Sequence, residues 1–267
     1  MYKGLLVILL IIFGSLLISC GNKTKETSTE IITVDSSISK LNSPELKAVN
    51  AELLKNPNNP ELYFKRAKLY IKNKDGKAAQ GDAKRAIHLD SLKSEYFILL
   101  SDAYFFNNET RLAKETLERC LKINPESTEA NLKLAELYFF VKKYPEAIAY
   151  ANEALKINQN LGRGYFIKGM CYAEKGDTGN AVSSFQTVVE MDNQYYDAYM
   201  QLGLIMANKK NPIAVEYYTN ALRINPKSAE VFYDIGKFYQ DIRKFKQAVE
   251  TYQKLLSLNP KEKNAIY

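Results

Sequence analysis

From Asn42 onward, apolar residues recur in blocks of helical period, and an Asn or Asp closes each block: Asp90, Asn124, Asn158, Asp192, Asn225 and Asn259. The intervals are 34, 34, 34, 33 and 34 residues. Pro follows Asn124, Asn225 and Asn259. A proline pushes the residue before it out of helical geometry, so one helix ends there before the next begins. A fixed period of this length predicts a repeated helix-turn-helix unit.

Numbering each unit from its first helical residue gives six copies: 60–93, 94–127, 128–161, 162–195, 196–228 and 229–262. Position 20 is alanine in all of them: Ala79, Ala113, Ala147, Ala181, Ala214 and Ala248. Position 8 is small (Ala67, Ser101, Ala135, Gly169, Gly203, Gly236), and position 11 is Tyr70, Tyr104, Tyr138, Tyr172, Met206 and Tyr239. A small residue on each helix lets the partner backbone approach, and the bulky residue beside it fills the remaining space. One pair cannot bury its own apolar faces, so several in series make a continuous core.

These small and aromatic positions resemble, in register, the signature of the tetratricopeptide repeat family over residues 60–262, which is 203 of the 267 residues. The resemblance implies an all-α fold, a right-handed superhelix (α-solenoid) of six helix pairs. Its concave groove would hold segments of other proteins. Unit five lacks one residue between its helices, which predicts a tighter turn at Asn211-Pro212; Arg66 and Lys168 replace the usual leucine of position 7. Ahead of the units, Ser43-Pro44-Glu45 reads as the start of a helix within 43–57 that ends at Asn56-Pro57. Leu46, Val49, Leu53 and Leu54 form its apolar stripe, suited to covering the open end of unit one. Unit six keeps Val249, Tyr252, Leu256 and Leu258 apolar, and self-association or partner docking is expected at that C-terminal end.

The N-terminus has a different pattern. A lone Lys3 precedes an apolar run from Leu5 to Ile18 that ends in Leu17-Ile18-Ser19-Cys20. The run is shorter than the ~20 residues needed to span a bilayer. It resembles a lipoprotein signal peptide, residues 1–19. That resemblance implies cleavage after the small Ser19, and diacylglycerol on Cys20 as the membrane anchor. Gly21, where an Asp would mark retention, resembles lipoproteins released to the outer membrane. The remainder of segment 20–42 is rich in Ser, Thr, Lys and Glu; it buries too little apolar surface to offset its ordering entropy and reads as a flexible tether.

Net charge is +7, but the 37 basic residues are interspersed with 30 acidic ones, a solvated surface rather than a nucleic-acid face. Chemistry is sparse. No Gly-rich phosphate loop, nucleophile elbow or metal-ligand cluster occurs, and the single histidine, His88, falls on a polar helix face. Neither a cofactor nor an enzymatic activity is expected. Cys120 and Cys171 lie in different units, too far apart to pair, and are expected as buried free thiols.

Positions 4, 7, 8 and 11 of each first helix share one side, while 2, 5, 9, 12 and 13 cluster roughly 140° away. In the family this second stripe lines the groove. Here it supplies Phe64, Ile98, Phe105, Phe106, Leu132, Phe139, Phe140, Phe166, Met170, Met200, Leu204 and Tyr233. Phe106 and Phe140, both at position 13, are expected to face one cavity as anchors for an extended or helical apolar segment. Lys65, Lys68 and Lys72 mark one end of the stripe, and Glu230, Asp234 and Asp241 the other. With Phe64 and Lys68 at positions 5 and 9, the Lys and Asn that some members use to clamp a C-terminal carboxylate are missing.

The reading is a protein-binding scaffold for envelope assembly, lipid-anchored on the periplasmic face of the outer membrane. Resemblance also extends to pilotin lipoproteins that guide secretins and to adaptors that dock peptidoglycan hydrolases. A glycan-binding lipoprotein would suit the 19 tyrosines but lacks any Trp. Cys20→Ala is expected to leave an unprocessed precursor that takes up no labelled fatty acid; normal cleavage and labelling would refute the lipid site.

Overall fold

The computed structural model describes residues 43–258; the segments read as signal peptide and tether, residues 1–42 with Cys20, and the last nine residues lie outside them. Among the described residues there are thirteen helices and no strands. Helix α1 (Pro44–Lys55) precedes six pairs. The pairs are α2 (Pro60–Lys72) with α3 (Gly76–Leu89), α4 (Ser94–Phe106) with α5 (Thr110–Ile123), and α6 (Thr128–Phe140) with α7 (Tyr144–Ile157). Then come α8 (Gly162–Glu174) with α9 (Thr178–Met191), α10 (Tyr196–Asn208) with α11 (Ala214–Ile224), and α12 (Ala229–Asp241) with α13 (Phe245–Leu258). Each helix packs against its partner and against the next pair, forming an α-solenoid.

Local signals set the helix boundaries. Ser43, Asn59, Asp75, Ser127, Asp177 and Ser228 each accept a hydrogen bond from a backbone N–H in the first turn that follows, satisfying a donor the helix cannot. The turn inside every pair is the same. Position 15 adopts a left-handed conformation six times, at Lys74, Asn108, Lys142, Gly176, Lys210 and Arg243, with φ from 53° to 77°. The next residue then donates its N–H to the position-11 carbonyl, as from Asp75 to Tyr70 at 2.9 Å and Lys143 to Tyr138 at 2.8 Å.

Unit five corrects an expectation. Its turn is not tighter: Lys210 and the Asn211-to-Met206 bond repeat the common geometry. The missing residue is taken from the second helix instead. Pro212 and Ile213 form a short i→i+3 turn, and α11 has 11 residues where the other five second helices have 14.

Side-chain size at two facing positions governs how each pair closes. Position 20 is fully or almost fully buried in all six units, so nothing larger than alanine fits between the helices. At position 8, a methyl group on Gly169, Gly203 or Gly236 would fall 2.6, 2.5 or 2.4 Å from the rings of Phe185, Tyr218 and Tyr252. Those three aromatics share one place on the second helix. In units one to three that place holds Ala83, Leu117 and Ala151, opposite Ala67, Ser101 and Ala135. Glycine meets a ring, and a slightly larger residue meets an aliphatic side chain.

Helix α1 covers unit one. Leu46, Val49 and Leu53 are buried, with Val49 and Leu53 packed against Leu62. Leu54, expected in the same stripe, stands 86% exposed because it falls about 100° round the helix from Leu53. Asn56-Pro57 lies 34 residues before Asp90, which puts α1 in the register of a second helix without its first. The positions that would face the absent partner carry Glu45 and Glu52, both exposed. Arg66, in place of a leucine, ties three helices: it bonds both carboxylate oxygens of Asp82 on α3, at 2.6 and 2.8 Å, and Asn50 on α1 at 2.8 Å.

Cys120 and Cys171 are buried free thiols, and His88 is exposed. At the other end Leu255 is buried, whereas Phe245, Val249 and Leu258 are exposed and Tyr252 and Leu256 half-buried.

Gly203→Ala is expected to destabilise. Overpacking costs about 1–3 kcal/mol, while the helix-propensity gain returns at most about 1 kcal/mol. Adding Tyr218→Leu, which imitates the Ser101–Leu117 combination of unit two, should make the double variant lose less than the sum of the two single losses. Urea unfolding of the four proteins measures this coupling; strict additivity would refute it.

Candidate protein-binding groove

The first helices α2, α4, α6, α8, α10 and α12 succeed one another along one face, and side chains from their predicted stripe behave in three ways. Leu132 and Met200 are buried at 3% and 8% exposure: both belong to the core, not to an open surface. Position 5 points toward the neighbouring first helix, where a flexible side chain is enclosed. Phe64, Ile98, Phe139, Phe166, Met170 and Tyr233 are half-buried, each with one side on neighbouring helices. Phe105, Phe106, Phe140 and Leu204 are exposed.

The exposed aromatics concentrate in units two and three. Phe105 meets Phe140 edge-on, with ring centroids 5.8 Å apart at 76°, a favoured aromatic geometry. The expected pairing of Phe106 with Phe140 over one cavity does not occur. Position 13 closes the first helix, and its ring leans back on the preceding unit. Phe140 therefore reaches Phe105, while Phe106 covers Gly76, where an added methyl would meet its ring at 2.5 Å. Phe106 lines a separate recess with Asn73, Asp75 and Lys77.

Beside Phe105 a cleft of about 110 Å³ opens between α4 and α6, with Ala113 and Leu117 of α5 in its wall. Asp102, Lys133 and Glu136 bring charge to this otherwise apolar lining. The Lys133 ammonium bonds Asp102 at 2.6 Å and lies 3.4 Å from Glu129. Arg163 of α8 then grips Glu136 through two bonds of 2.6 Å and Glu129 through two of 3.0 Å. One unbroken chain of alternating charge, Asp102–Lys133–Glu129–Arg163–Glu136, therefore crosses three first helices. Its bonds to Glu136 hold the guanidinium well above the usual arginine range. Burial pushes the Asp102 carboxyl up in spite of Lys133; in all, three carboxylates share two cations. Sequence reasoning missed this network. Its only trace there is charge at positions 2, 6 and 9 of consecutive units.

The two ends differ in sign. Lys65, Lys68 and Lys72 are exposed on α2, with the Lys68 ammonium 4.4 Å over the Phe64 ring. On α12, burial and then the neighbouring Glu230 push the Asp234 carboxyl up from 3.8 to about 6, with Lys237 only partly offsetting them.

Models of the tetratricopeptide repeat match residues 107–163, 162–195 and 229–262. Over those residues the chain carries tetratricopeptide repeats. Among curated proteins, the Hsp70-Hsp90 organizing protein 3 of Arabidopsis thaliana is 29% identical over 104 residues, 39% of this chain but only 19% of that protein. Among solved structures, PilW, a type IV pilus biogenesis factor, superposes with a TM-score of 0.69 at 18% identity, over 78% of this chain and 96% of its own. YrrB, described as having an unusual peptide-binding site, gives a TM-score of 0.56 at 20% identity over 69% and 95% of the two chains. The structural likenesses are likenesses of fold. Across the array, no helix among the described residues is long and apolar enough to cross a membrane, and none of their His, Cys, Asp or Glu form a metal-binding cluster.

Asp234 yields a pH prediction. Well below pH 4 its carboxyl is protonated in both folded and unfolded chains and contributes no difference. Between about pH 4 and 6 the unfolded form ionises first, so stability is lost as pH rises through the folded value. Asp234→Asn is therefore expected to match the parent at pH 3.5 and exceed it by roughly 1 kcal/mol at pH 7.5, a figure reduced for partial solvent screening. Urea unfolding at the two pH values checks it; an equal difference at both would refute the assignment.

Proposed function

We propose that this protein is a lipid-anchored interaction scaffold of a bacterial envelope, which holds an extended or helical segment of a partner in its concave groove and gathers partners for envelope assembly without catalysis. The observation that carries the reading is the exposed Phe105–Phe140 pair beside the cleft between α4 and α6. An aromatic pair left half in water on a concave face is a ready binding anchor, and such anchors commonly contribute about 2 kcal/mol or more each. The peptide-binding site named for YrrB and the organizing role named for the plant protein support a protein ligand. The anchor rests on Leu17-Ile18-Ser19-Cys20, which reads as a lipidation sequence. Gly21 favours the outer membrane, with the array facing the periplasm.

A second reading, a pilotin-like guide for an outer-membrane secretin, is favoured by the fold-wide likeness to PilW. It differs in the identity of the partner, not in the site.

Phe140→Glu and Phe105→Glu, each placing a charge where an apolar group would dock, are expected to cut partner binding at least tenfold. Both side chains are exposed, so circular dichroism should be unchanged. The measurement is in-cell crosslinking of the parent and both variants, followed by identification of the captured proteins. An unchanged set of crosslinked partners would refute the groove as the binding site, and a secretin subunit among them would select the second reading.

A further inference from the structure

Resting on the groove reading above, we propose that the partner segment is extended and charge-segregated: acidic residues lie against unit one, an apolar centre against Phe105 and Phe140, and basic residues toward units five and six. Three observations carry this. Lys65, Lys68 and Lys72 fall within about 60° of one another on α2, and Glu230, Asp234 and Asp241 within about 40° on α12. Among the described residues, neither trio has an ion-pair partner within 4 Å, although Lys133 and Arg163 in the middle are fully engaged. Each trio also places like charges four residues apart, at Lys68 and Lys72 and at Glu230 and Asp234, an arrangement that weakens its own helix. Charge retained at that cost and left unpaired in the array can be satisfied by a ligand of opposite sign.

The two end helices differ in sign, α2 basic and α12 acidic, with charges of both signs among the first helices between them. On α2 Lys68 acts on Glu61 of the same helix; positions 2, 6 and 9 bring together Asp102, Lys133 and Glu129 between units two and three, and place Leu204 against the acids Asp234 and Glu230 between five and six. Asp197 adds a further acid in unit five, and Lys237 is the one basic residue of α12. With first helices about 10 Å apart, five steps measure roughly 50 Å, the reach of about 15 extended residues. Such a ligand needs no free C-terminus, consistent with Phe64 and Lys68 occupying the clamp positions.

The test uses the full chain and two synthetic peptides of about 16 residues with identical composition. One has glutamates at one end, leucine and phenylalanine in the middle and lysines at the other end; the second has the same charges alternated. In fluorescence anisotropy the segregated peptide should bind about tenfold more tightly at low salt, and the gap should close at roughly 0.5 M salt. Reversing the lysines together (Lys65→Glu, Lys68→Glu, Lys72→Glu) should abolish the preference. Adding Glu230→Lys and Asp241→Lys should restore it, because the segment can then lie in the opposite direction. All five side chains are exposed; Lys68→Glu alone serves if the triple variant does not fold, and should narrow the gap. Equal binding of both peptides, lost in Phe140→Glu, would overturn the charge order while leaving the groove scaffold standing. Equal binding unaffected by Phe140→Glu would count against both. Self-assembly abolished by the lysine reversals would replace the peptide with a second copy of the chain.

Discussion

Close approach of the two helices within each pair is the constraint on which the rest of the molecule depends. Positions 8, 20 and 27 set it. Position 27, filled by Ala86, Cys120, Ala154, Val188, Ala221 and Leu255, is fully buried in all six units, and position 20 nearly so. Once two backbones meet at that distance, the left-handed residue at position 15 closes them in one geometry. Successive first helices are then brought side by side. Only in that arrangement can position 9 of one unit reach position 6 of the next, as Asp102 reaches Lys133, or position 2, as Glu136 reaches Arg163. The groove is thus a consequence of packing inside the pairs, not a separate element.

The legible part of the sequence was the part that repeats without compensation. Alanine at position 20 and the small residue at position 8 recur because each contact has one geometric solution, so helix pairing followed from spacing alone. The match between Gly169 and Phe185, or Ser101 and Leu117, was not legible, because neither position is constant: glycine faces a ring in units four to six, serine faces leucine in unit two, and alanine faces alanine in units one and three. Unit five misled for a related reason. A one-residue deletion can be absorbed by the turn or by the helix after it, and the hydrogen bond from Asn211 to Met206 holds the turn fixed.

The groove was legible only in outline. A helical wheel assigns positions 5, 9, 12 and 13 to one broad face, but exposure within that face depends on the neighbouring unit. Leu132 is enclosed, while Phe105 and Phe140 remain open. The ionic chain was hidden more deeply, since its cross-helix partners are separated by 27 to 34 residues and no local pattern joins them.

That chain changes what kind of groove this is. Partly exposed single ion pairs contribute about 0–1 kcal/mol each, so the network adds little to stability by number. Its effect lies in geometry: the fork of Arg163 fixes both carboxylates of α6, and Lys133 fixes α6 against α4, at the place where the aromatic pair is exposed. A solenoid is flexible in its curvature because each unit touches only its neighbours. Cross-bonding three successive first helices restrains that curvature at the centre. An apolar segment meeting the centre therefore finds its site already shaped and gives up little affinity to ordering the protein. The charged ends then act at longer range and in opposite senses, selecting the direction in which the segment lies more than the strength with which it is held.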